Sequence, residues 1–122
     1  MTANIHDVIV EKMRALLIQR GHKVRTNSGQ DKKFSVTGPG LNPEEKITYY
    51  PDVYTYDEVE NVVTNIYEVE TSESINPQSV EQWRKMANGS AKFYLVVPKL
   101  DLERTKQLVQ QNNIKVVEYY TY

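Results

Sequence analysis

The chain has no cysteine and only two histidines, His6 and His22. The missing cysteine excludes disulfides, thiolate metal sites and cysteine nucleophiles. Two histidines leave little for an imidazole-built zinc site. No apolar run approaches the roughly 18 residues of a membrane span, so no membrane partner is expected. The first residues lack the apolar core and cleavage site of a signal peptide, which points to a cytoplasmic protein. An excess of one charge is also absent: fifteen Lys and Arg face sixteen Asp and Glu, a net charge of -1. Nucleic-acid binders are usually more basic, so any contact with phosphate must rest on local patches. What remains is 122 residues, 39% hydrophobic and 25% charged, enough for one domain over 1–122 with a real core. Nine tyrosines stand against two phenylalanines and one tryptophan. Tyrosine suits half-buried strands, interfaces and base stacking alike.

Ile5, Val8, Ile9, Met13, Leu16 and Leu17 recur at helical spacing and predict an amphipathic helix, capped by Thr2 or Asn4 and stopped at Gly21. Residues 22–26 and 32–37 read as short strands, separated by the turn signal Asn27-Ser28-Gly29-Gln30. Residues 38–43 have loop composition, and 46–56 read as a further strand with Pro51 near its middle. A proline there signals an edge, a bulge or a break. Asp57-Glu58 reads as a turn, and residues 59–71 as the returning strand. A helix over 77–88 follows, capped by Ser74 or Asn76 and inward at Val80, Trp83 and Ala87. The apolar run 93–97 suits a strand covered on both faces. A helix over 101–111, inward at Leu102, Thr105, Leu108 and Val109, and a strand over 114–120 complete the chain. The order predicts an α/β fold, a mixed sheet flanked by helices.

Two acidic motifs stand out: Pro51-Asp52 at one strand and Glu68-Val69-Glu70 in the next. Period-two alternation sends Glu68 and Glu70 to one face, with Tyr67, Val69 and Thr71 opposite. Adjacent carboxylates on a strand repel each other and lose hydration, a penalty that a cation between them would remove. The plain alternatives are turn chemistry for Asp52 and a solvated strand face for the glutamates. Ile66 on that same face argues that it is not fully wet.

These motifs, with the order helix, strands, helix, strand, helix, strand, resemble the PD-(D/E)XK, or restriction endonuclease-like, nuclease superfamily. Small Holliday junction resolvases and type II restriction enzymes are the members the chain is most similar to. Pro51-Asp52 matches one half of the motif. Glu68-Val69-Glu70 matches the other, with Glu70 where lysine is usual. The resemblance implies an α-β-β-β-α-β-α-β core and a metal-dependent nuclease acting on DNA. It implies Asp52, Glu68 and the carbonyl of Val69 as ligands to Mg²⁺, with Mn²⁺ as substitute, and Asp52, Glu68 and Glu70 as catalytic residues. A carboxylate at Glu70 can act as a base or bind metal, but it brings no positive charge. On the helix after the acidic strand, Gln82 and Lys85 are candidate substrate contacts, and Lys85 stands in for the missing lysine. Glu11, Glu73 and Ser74 are weaker candidates that also read as ordinary surface residues, and Trp83 reads as core. Lys23, Arg25, Lys32 and Lys33 flank the early turn as a basic cluster suited to phosphate. Tyr119, Tyr120 and Tyr122 lie on an edge strand that a second copy would cover in a homodimer. The same motifs also fit an inactive module on this fold that binds nucleic acid or a protein partner.

Overall fold

A computed structural model describes residues 4–29, 33–39 and 44–122. Thr2, Gln30, Lys32 and residues 40–43 of the predicted loop lie outside the described residues. Helix α1 (Ile5–Gln19) begins on Asn4, whose side chain accepts the Asp7 backbone N–H at 2.8 Å. That bond satisfies one of the donors a helix start leaves open. The helix buries Ile9, Val10, Met13 and Leu17. The apolar stripe therefore starts a turn later than the sequence suggests, and Ile5 is half exposed. Past the end of α1, Gly21 takes a φ of +90°, which favours glycine.

Strands β1 (Lys23–Thr26), β2 (Val36–Gly38), β3 (Ile47–Tyr49), β4 (Val53–Asp57) and β5 (Val62–Val69) follow. After them come α2 (Pro77–Ala87), β6 (Lys92–Val97), a 3-10 turn (Lys99–Asp101), α3 (Leu102–Gln111) and β7 (Glu118–Thr121). Five strands form one mixed sheet in the order β1-β4-β5-β6-β7. The β1–β4 and β4–β5 pairs are antiparallel; β5–β6 and β6–β7 are parallel, bridged by α2 and α3. β2 and β3 pair separately as a small antiparallel sheet.

The strand predicted over 46–56 is thus two strands in two sheets. Pro51 has no N–H to give a ladder, and the chain changes sheets across it. The strand predicted from residue 59 starts at Val62. The Asp57 carboxylate holds the N–H groups of Val59 and Glu60 in a turn, and Asn61 takes a φ of +55°. The last strand also starts late. Asn113 takes a φ of +54° and Ile114 N–H returns to the carbonyl of Val109, so Ile114 closes α3 before β7 begins.

Two apolar layers sandwich the sheet. On one face α1 packs on Val53, Tyr67, Val69 and Val96. On the other, Val80, Trp83 and Met86 of α2 and Val109 of α3 pack on Tyr54, Ile66, Phe93, Leu95 and Val97. Burial on both faces explains the unbroken apolar run of β6. β7 is an edge strand, but its tyrosines are partly used within the chain: Tyr120 packs edge-on to Tyr67 at 5.9 Å, and Tyr67 stacks on Tyr94 at 4.6 Å. Among the described residues no helix is long and apolar enough to cross a membrane.

Ile66, fully buried at the centre of β5, tests this layering. Ile66→Ala is expected to cost about 2–5 kcal/mol, read as a lowered urea midpoint at unchanged slope.

Candidate acidic site

The site lies where β4 begins and β5 ends, at the edge toward which β5 and β6 both point. Two groups of Asn27, the residue directly after β1, fix the start of β4. The Asn27 N–H donates to the Asp52 carbonyl at 2.9 Å, and Asn27 Nδ2 donates to the Pro51 carbonyl at 2.8 Å. Asp52 and Glu68, sixteen positions apart, then lock together reciprocally. The Asp52 N–H donates to Glu68 Oε1 at 2.8 Å, and the Val69 N–H donates to Asp52 Oδ2 at 2.8 Å. Both carboxylates are buried, 6% and 8% exposed. N–H donors replace part of the hydration that burial removes. The strand pairing thus brings together the two acids that the motifs single out.

A residue the motifs do not point to completes the pair. His6, in the first turn of α1, places Nε2 3.1 Å from Asp52 Oδ1 and Nδ1 3.1 Å from Asp7 Oδ1. Both ring nitrogens face carboxylates, an arrangement that favours the doubly protonated ring. The bond to Asp52 outweighs the cost of burial and raises the His6 pKa to about 9. A neutral-pH cation therefore sits beside the acidic pair. Its only trace in the sequence is a His-Asp dipeptide in the first turn of a helix whose apolar stripe docks on the acidic strands.

Glu70 bonds to α2 and to the segment before it. It follows the last residue of β5, and its carboxylate accepts the Trp83 indole N–H at 2.8 Å and the Ser74 hydroxyl. Burial raises its pKa, the Ser74 and Trp83 hydrogen bonds oppose that, and the charge of Asp52 raises it further. Its backbone is also held: the N–H donates to the Val96 carbonyl and the carbonyl accepts the Tyr122 hydroxyl. Glu70 thus anchors α2 and the chain end to the sheet edge. Val69 enters the site through its N–H. On α2, Gln82 is exposed and Lys85 is partly buried, and it is Trp83 between them that reaches the acidic strand. Glu11 is exposed and lies 3.8 Å from Arg14; Glu73 is exposed too.

Asp52 and Glu68 supply hard oxygen donors, the chemistry that Mg²⁺ takes, one or two carboxylates with water and phosphate completing the shell. Among the described residues no three His, Asp or Glu side chains gather as a ready cage. Asp52 Oδ1 already serves His6. No family model, no curated protein and no solved structure matches the chain.

Two outcomes are expected. First, the folded pKa of His6 lies above its unfolded value near 6.5. The stabilisation from its pairing is full below about pH 6.5 and is lost as pH rises through about 9. Partial exposure reduces the amount to on the order of 1–2 kcal/mol. Urea melts across this window in metal-free buffer should show the loss, and His6→Gln should flatten it. Second, Trp83→Phe leaves Glu70 Oε1 without its donor and should destabilise the fold by about 1–3 kcal/mol. Ser74→Ala should cost less, because Ser74 is partly exposed and water can take the place of its hydroxyl, whereas Trp83 is fully buried.

Proposed function

We propose that this protein is a Mg²⁺-dependent phosphodiester hydrolase acting on DNA, with Asp52 and Glu68 as the metal-holding pair. The observation that carries this reading is the reciprocal lock of those two buried carboxylates across antiparallel strands. Setting aside the small β2–β3 sheet, the element order is the α-β-β-β-α-β-α-β order that the PD-(D/E)XK resemblance implies. That agreement supports a restriction endonuclease-like core.

In this reading Asp52 and Glu68 hold the ion. Bound Mg²⁺ supplies Lewis-acid polarisation of the phosphate and lowers the pKa of water. His6 Nε2 keeps a proton and a positive charge beside Asp52 Oδ1. The motif lysine is absent, and α1 delivers the cation in its place. Glu70 is the buttress that fixes Trp83 and the loop after β5. A second reading, a binding module without chemistry on the same fold, is favoured by one feature: the Glu70 carboxylate is closed onto Trp83 and Ser74. A homodimer through the open edge of β7 is compatible with either.

Plasmid, single-stranded and four-way-junction DNA incubated with Mg²⁺ or Mn²⁺ should be cut by the wild type, and EDTA should stop the reaction. Asp52→Asn and Glu68→Gln should each lower the rate by at least about 100-fold, whereas Gln82→Ala should change it little. Equal rates in the wild type and Asp52→Asn would contradict the assignment.

A further inference from the structure

Asn27 directly follows β1 and is 1% exposed. Its side chain uses every polar atom it has. Nδ2 donates to the carbonyls of Phe34 at 2.7 Å and Pro51 at 2.8 Å, and Oδ1 accepts the N–H groups of Lys33 at 3.0 Å and Phe34 at 2.8 Å. With its own N–H on the Asp52 carbonyl, one buried amide joins residues 33–34 to the peptide that carries Asp52. Two cations flank this joint. Lys33 has its backbone in the grip of Asn27 and its side chain exposed. Arg25 lies two residues before Asn27, roughly 7 Å along the strand and on the same face.

Arg25 is also oriented. Its guanidinium lies over the rings of Tyr56, at 4.6 Å, and Phe34, at 5.1 Å. Rings stacked on a guanidinium cover its faces, and the Tyr54 hydroxyl takes part of the N–H edge of Arg25; of the five N–H donors, the rest form the fork that fits phosphate. A cavity of about 200 Å³ opens beside it, lined also by Tyr54, Glu58 and Asn61. Glu58 is itself 3.9 Å from Lys23, so the charge of Lys23 is directed to Glu58, while Arg25 and Lys33 are the cations on the chain segments that Asn27 joins. Phe34, partly exposed, adds an aromatic face of the kind on which a base stacks.

We propose that Arg25 and Lys33 grip the sugar-phosphate backbone of nucleic acid, and that Asn27 fixes this grip in register with Asp52. The proposal deepens, and rests on, the assignment of Asp52 and Glu68 to phosphodiester hydrolysis. The test is fluorescence anisotropy of a short fluorescein-labelled DNA duplex, and of its single strand, with the full chain in EDTA across a salt series. Arg25→Ala and Lys33→Ala should each weaken binding roughly five- to tenfold and lower the slope of log Kd against log salt by about one. Arg25→Lys should keep the slope, which separates loss of charge from loss of fold. Lys106→Ala, on α3 against Tyr119, should bind as the wild type does.

Wild-type slopes in Arg25→Ala and Lys33→Ala, or no binding by the wild type at low salt, would overturn the proposal. Displacement of DNA by polyglutamate at equal charge would overturn the assignment to nucleic acid. The cleavage assay separates the two claims. Metal-dependent cutting with undiminished binding by Arg25→Ala removes the grip and keeps the hydrolase. Binding lost in Arg25→Ala with no cutting by the wild type keeps the grip and removes the hydrolase.

Discussion

The structure depends on how three buried carboxylates are tolerated at one sheet edge. A buried carboxylate is costly unless donors replace its water. Here each acid has its own solution. Asp52 takes the N–H of Val69 and the imidazolium of His6; Glu68 takes the N–H of Asp52; Glu70 takes Trp83 and Ser74. These bonds cross between β4 and β5, from α1 to β4, and from α2 to the end of β5. The same groups that hold the charges therefore hold the helices on the sheet. Stability and the candidate chemistry share one set of contacts.

That sharing sets the division of labour. Glu68 and Glu70 are neighbours on one face of the sequence pattern, yet they do different work. Glu70, buttressed by an indole and a hydroxyl and with its pKa raised by burial, is built into the core. Asp52 and Glu68 are bound through backbone N–H groups, which fix the acids at the sheet edge beside a protonated histidine. The protein thus already balances part of the acidic charge with the His6 imidazolium, and a metal ion would share Asp52 with that cation.

Much of the fold is legible in the sequence because its signals are local. Helical spacing marks α1, α2 and α3, the Asn76-Pro77 start marks α2, and the unbroken apolar run marks β6. The motif acids are legible because strand periodicity and a hairpin turn suffice to bring Asp52 to Glu68. The rest depends on long-range contacts. Pro51 divides one β-like stretch between two sheets, and only the pairing of β3 with β2 decides where the first part goes. His6 reaches Asp52 because α1 crosses β4, a packing fact that no window of sequence contains. Asn27 looks like an ordinary turn residue, yet its fold partners make it the joint between β1, residues 33–34 and Asp52. Glu70 alternates toward the acidic face, but Trp83, itself recognisable only as core, claims its carboxylate.

The central claim is that Asp52 and Glu68 form a divalent-cation site. Isothermal titration calorimetry of Mn²⁺ into the metal-free wild type, Asp52→Asn and Glu68→Gln tests it without any substrate. The expected result is a saturable binding event in the wild type that both substitutions abolish while the folded state is retained. No saturable heat in the wild type, or the same binding in all three proteins, would contradict it.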